Sequence, residues 1–142
     1  MSTLKRIALA VVAIHFLVVV LHSIAHQLLS VNASPAQLAF IVPVIIVAPV
    51  VAGVMLPKFE RFAIVLLTAS MIGSFVFGVY YHLIADTIDH VAHVAQLEPR
   101  FWSQMFVATS YLLAISELLG AIVGVLLLVR ASTTAVRGNH AF

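Results

Sequence analysis

Seven histidines stand beside five carboxylates and no cysteine in this chain, so any chemistry it performs rests on nitrogen and oxygen. Cysteine's absence removes disulfides, thiolate metal sites, Cys-ligated iron–sulfur clusters and thiol nucleophiles together. The histidines are ordered. His15, His22 and His26 are spaced by seven and four, which places all three on one face of a helix. His82, Asp86, Asp89, His90 and His93 share one side of a second helix by the same arithmetic, and Ser103, Ser110 and Glu117 repeat every seven on a third, continuing to Gly124.

Two histidines at i and i+4 can hold one metal ion from a single face, as His22 and His26 would, and His82 with Asp86 repeats that spacing. Glu117 can serve such a centre as a further ligand, as a partner to a ligand or as a proton acceptor. The expected metal group is therefore His22, His26, His82, Asp86 and Glu117, and a donor set without sulfur suits zinc, iron, manganese or copper(II) better than copper(I). Two other readings of these residues stand beside it: a b-type haem held between His22 or His26 and His82, and a buried polar network without a cofactor. His15, alone further along its helix, reads as a hydrogen-bonding contact between helices. Asp89, His90 and His93 read equally as part of the site or as a solvated face. His140 lies in a polar tail and carries no assignment.

Stepping from residues to elements, 63% hydrophobic residues and 8% charged ones leave too little polar surface to coat a soluble domain of this length. The mean hydropathy of +1.19 agrees. Four apolar stretches, near 5–29, 36–56, 62–95 and 100–130, are each long enough to cross about 30 Å of hydrocarbon as a helix. Turn-forming residues separate them at 30–35, 57–61 and 96–99. The fold expected is an all-α membrane protein: a single domain over 1–142, a four-transmembrane-helix up-and-down bundle, with a tail at 131–142. Helices three and four are longer than a bilayer requires, so their joined ends, Ile84 to Arg100, are expected to project from the outer face as a helical hairpin. In the second stretch Pro43 and Pro49 predict a kink. The Gly120-to-Gly124 GxxxG pattern and Ser70, Ser74 and Gly78 predict close helix packing within the chain, with a homodimer seam as the lesser alternative.

Charge supplies direction. Lys5, Arg6, Lys58, Arg61, Arg130 and Arg137 fall on one side of a four-span arrangement and Arg100 on the other, so both termini are expected in the cytoplasm. An alternative reads the first stretch as a cleavable signal peptide ending near Ala33. The length of its apolar run and its three histidines argue against that. Asn32-Ala33-Ser34 matches a glycosylation sequon, here read as turn residues. Counting from the cytoplasmic ends puts His22 and Glu117 roughly 20 to 23 Å up, with His26 and His82 roughly 28 to 30 Å up and Asp86 one turn higher. The candidate site then lies in the outer half of the bundle.

The formal charge of +2 is dispersed at hydrophobic borders, which argues against a nucleic-acid partner. The partners expected are the lipid bilayer itself and, possible for any small membrane protein, a second copy or a larger membrane complex. No P-loop, GxGxxG, GxSxG or HExxH is present. Three functions follow as expectations: a multi-pass cell-membrane protein with a metal site, a b-type haem protein, and a non-catalytic membrane subunit. A transport path is weakened because apolar and small residues alone lie below His15 and Glu117.

Overall fold

The computed structural model describes residues 1–139, with side chains for 1–133. Among the described residues every regular element is helical. The four long elements are α1 (Thr3–Leu28), α2 (Pro35–Met55), α3 (Glu60–Ile84) and α5, which runs Arg100–Asn139, and each is long and apolar enough to cross a membrane. A short α4 (Val91–Val94) lies between α3 and α5.

Capping explains where the helices begin. Ser2 accepts from the Lys5 backbone to open α1. Ser34 and Gln37 form a reciprocal capping box, with Pro35 in the first turn, to open α2. The prolines of α2 produce a π-helical stretch, Ile41–Val47, rather than a simple kink. Pro49 has no N–H to give the Ile45 carbonyl four residues earlier. His15 Nε2–H donates to that carbonyl instead, at 3.1 Å. His15 is thus the contact between helices that its isolated position predicts.

Polar side chains on the helices mostly satisfy themselves. Thr68 Oγ1 donates to Ile64, Ser70 Oγ to Leu67, Ser110 Oγ to Phe106 and Ser116 Oγ to Leu113, all backbone carbonyls of their own helices. This lets a serine and threonine seam lie inside the bundle without partners from outside. The core has three levels. Ala8, Val12, Ala52, Leu56, Ile64, Met71 and Leu127 belong to the one nearest the chain termini. Val18, Val19, Ile45 and Leu113 form the middle. Ala25, Val31, Val94 and Phe106 close the far end. Outside, large apolar side chains such as Leu17, Val54, Val76 and Ile84 are exposed, leaving the bundle with a largely apolar exterior.

α3 and α5 run antiparallel through small residues. A side-chain carbon on Gly120 would press on Met71, and one on Gly124 would press on both the hydroxyl and the backbone of Thr68. The GxxxG pattern is therefore occupied within the chain. At the termini end, Lys5 Nζ pairs with Glu60 at 2.6 Å, tying α1 to α3.

Two expected boundaries change. The third helix does not continue to residue 95: it closes with a π-helical turn over Tyr80–Ile84, and Ala85 is extended (ψ 136°). The cause lies in the next five residues. Thr87 Oγ1 donates to the Tyr81 carbonyl at 3.0 Å, taking up a backbone acceptor that a longer helix would have used. The chain then folds back, with His90 capping α4 through its ring nitrogen, so no helical hairpin spans Ile84 to Arg100. At the other end α5 continues to Asn139, so the expected tail at 131–142 is helical as far as it is described, and His140 lies outside the described residues.

Candidate metal centre

Three histidines from two helices meet where α1, α3 and α5 approach the folded-back segment. The ligand atoms of His22, His26 and His82 all lie within 4.8 Å of one another. His22 and His82 are buried, and His26 is partly so. Their rings pack edge to face, with His22 4.7 Å from His26 and 4.9 Å from His82 between centroids, and Phe106 lies against all three.

Proton bookkeeping decides what this cluster presents. His26 Nδ1 faces the Val31 carbonyl at 2.6 Å and His82 Nδ1 the Asp89 carbonyl at 3.0 Å. A carbonyl accepts only, so each Nδ1 carries the proton and donates it. His22 Nδ1 lies 2.9 Å from Thr109 Oγ1. The single hydroxyl proton of Thr109 goes to its own helix, toward the Met105 and Phe106 carbonyls. With that proton on its own helix Thr109 accepts from His22 Nδ1; turned toward the ring, it would donate to Nδ1 and leave His22 Nε2–H to donate to His82 Nε2. In the first of these arrangements, with the rings neutral, all three Nε2 atoms are left as lone pairs. Two of them, on His22 and His82, face each other at 3.3 Å.

Facing lone pairs repel unless a proton or a metal cation stands between them. Two nitrogens bound to one tetrahedral zinc at about 2.0–2.1 Å would lie about 3.3–3.4 Å apart, and the observed spacing matches. The third nitrogen would have to close by at most about 1.5 Å to complete the same geometry. Each imidazole also donates its other N–H to a fixed acceptor, the arrangement that orients metal-binding histidines and raises their basicity.

The remaining expected ligands are placed differently. Asp86, whose spacing to His82 requires an unbroken helix, lies past the end of α3; its exposed carboxylate pairs with His93 Nε2 at 3.2 Å. Glu117 is buried and lines the same cavity as the three histidines, but not at their level. His15 reaches Ser116 at 3.5 Å and His22 reaches Thr109. That register sets Glu117 roughly two turns along α5 from Thr109. Counting depth from each helix's cytoplasmic end missed this, because side-chain packing rather than helix length sets the register of α1 on α5.

Two contributors were not expected as such. Thr109 carries no sequence signal beyond its place on the serine seam. Asp89 contributes its backbone carbonyl, which no side-chain pattern encodes, and its side chain is buried at the cavity wall; His90 and His93 stay at the surface side of the fold-back. The cavity, about 170 Å³, runs from the histidines toward Glu117. Comparison with family models, with curated proteins and with solved structures finds no match.

Proposed function

We propose that this chain is a multi-pass membrane protein that binds one divalent transition metal ion through the Nε2 atoms of His22, His26 and His82. The observation carrying this reading is the approach of ligand atoms of His22, His26 and His82 to within 4.8 Å of one another, with His22 and His82 Nε2 3.3 Å apart and the Nδ1 atoms of His26 and His82 facing backbone carbonyls. Glu117 belongs to the centre as a neighbouring carboxylate rather than a direct ligand, and Asp86 stands outside it.

The same geometry speaks against the haem alternative. Axial histidines must approach an iron from opposite faces of a flat macrocycle, about 4 Å apart. Here Phe106 packs against all three histidine rings, in the space a macrocycle between His22 or His26 and His82 would need. A polar network without a cofactor would put the His22 proton on Nε2, donating to His82 Nε2 at 3.3 Å, and would turn the Thr109 hydroxyl from its own helix toward His22 Nδ1.

Four apolar helices with apolar exteriors support the cell membrane as location. Lys and Arg placement supports both termini on the cytoplasmic side, an up-and-down path, and a metal centre in the outer half. The bilayer is the partner this reading requires; a homo-oligomer or larger complex is compatible, since the centre is complete within one chain.

The test is elemental analysis of protein purified in detergent without chelators, followed by cobalt(II) reconstitution. One metal per chain, with visible bands of tetrahedral intensity that vanish in His22→Ala and His82→Ala, is the expected result. Absence of stoichiometric metal after purification and after reconstitution overturns the assignment. A Soret band in the purified protein would return the haem reading.

A further inference from the structure

Two buried polar atoms of the described side chains lack a hydrogen-bond partner, Ser74 Oγ and Glu117 Oε2, and of these two residues only Glu117 lines the cavity. Glu117 is 1% exposed, and a carboxyl group so enclosed in an apolar bundle needs a partner. Gly78 leaves the space beside it. A side-chain carbon added there would lie 3.4 Å from Glu117 Oε2 and, its chain neighbours aside, would meet no other described side chain within 4 Å. Water answers this acceptor poorly, because a buried water needs about two to four polar partners. The cavity residues next to the carboxyl along the two helices are Leu113, one turn before it, and Phe77, beside Gly78.

The rest of the cavity sets size and access. Its volume, about 170 Å³, is close to the roughly 150 Å³ of an apolar cavity that admits benzene and below the roughly 300–1,000 Å³ of pockets that enclose a drug-sized molecule. Val19, Ile41 and Ile45 extend the apolar wall. The two isoleucines belong to the π-helical stretch of α2, an irregularity of the kind that concentrates at functional sites. Ser23 and Gln27 of α1 and Leu38 of α2 line the cavity and are exposed, so it opens between these helices. A ring-sized group fits inside while a chain attached to it leaves between α1 and α2.

We propose that this cavity binds a neutral apolar molecule of the alkylphenol class, its ring hydroxyl on Glu117 and its alkyl chain between α1 and α2. A hydroxyl suits the carboxyl in either protonation state, donating to a carboxylate and accepting from the acid. An ammonium head suits only the first state, and a carboxylate head only the second. An ion at the histidines does not change this choice. Asp89 and Glu117 both line the cavity, with no Lys or Arg among its described lining residues. When both are ionised they match the two charges of a divalent ion, so the loaded cavity exerts no net pull on a cation or an anion. Binding requires no ion and stands apart from the metal reading.

The test is equilibrium dialysis of full-length protein in detergent micelles, with empty micelles as the partition baseline. The probe is 4-butylphenol, compared with butylbenzene, 4-butylbenzoate and 4-butylbenzylammonium. Expected is one saturable 4-butylphenol site per chain, in chelator-treated and zinc-loaded protein alike, with the other three bound about 10-fold or more weakly. Glu117→Met, which removes the acceptor and nearly keeps the shape, should weaken 4-butylphenol about 10-fold or more, leave butylbenzene unchanged and cost no thermal stability. Gly78→Ala should also weaken the phenol while raising helix propensity, so that a loss of binding there is not a loss of fold. No saturable site, equal affinity for butylbenzene, or tighter binding of either charged probe overturns the proposal. So does undiminished phenol affinity in Glu117→Met. Phenol binding by a protein that takes up no ion supports this proposal while overturning the metal reading.

Discussion

Each of the three imidazoles has an oxygen facing its Nδ1, and the tautomers these oxygens select govern the proposed centre. Two acceptors are backbone carbonyls, of Val31 and Asp89, and the third is the Thr109 hydroxyl. The last is the one a point substitution can remove. Thr109→Val keeps the shape but leaves His22 Nδ1–H unpaired or frees the ring to turn; metal affinity should fall about 10–100-fold, with Thr109→Ser near wild type. Competition titration with a chromogenic chelator measures both. Equal affinity in the Val variant would mean that the ring is positioned by packing against Phe106 alone.

At the scale of elements, irregular helix turns do the positioning. His82 sits in the π-helical turn that ends α3, and turns of this kind concentrate at functional sites. The fold-back beyond it returns Asp89 to His82 and sets Val94 against Ala25, Val31 and Phe106. α3 holds its place on α5 through two glycines of unequal tolerance. At Gly120 an added methyl meets the flexible Met71, whereas at Gly124 it meets the stiffer Thr68 and its backbone. Gly124→Ala should destabilise the bundle by about 1–3 kcal/mol, more than Gly120→Ala, with part of the loss recovered in Thr68→Ala/Gly124→Ala. Thermal unfolding in detergent, followed by circular dichroism, ranks the four proteins.

For the whole molecule, charge and apolar surface bear on the proposed four-span arrangement. Reporters fused to the N- and C-termini should both read as cytoplasmic, while one inserted in the segment between Ala85 and Arg100 should read as external. Opposite locations for the termini would remove the four-span arrangement. Since His22, His26 and His82 belong to one chain, metal stoichiometry should stay at one per chain in monomeric micelles, as sizing with light scattering alongside elemental analysis would show. A ratio of one per two chains would place the ion at an interface.

Much of this was legible in residue order because its causes are local. Apolar length predicts four helices, turn chemistry predicts their separations, and the seven-and-four spacing aligns His15, His22 and His26. The small-residue seam also shows in the sequence. Which histidines meet does not, because it depends on register between helices. Packing of α1 on α5 places His22 by Thr109 and sets Glu117 two turns away. Thr87 stops α3, turning Asp86 out to His93 and bringing the Asp89 carbonyl in to His82. The sequence alone determines a histidine-lined apolar helix bundle; only the tertiary structure decides that His22, His26 and His82 meet, since the oxygens that face their Nδ1 atoms come from a loop, a fold-back and a facing helix.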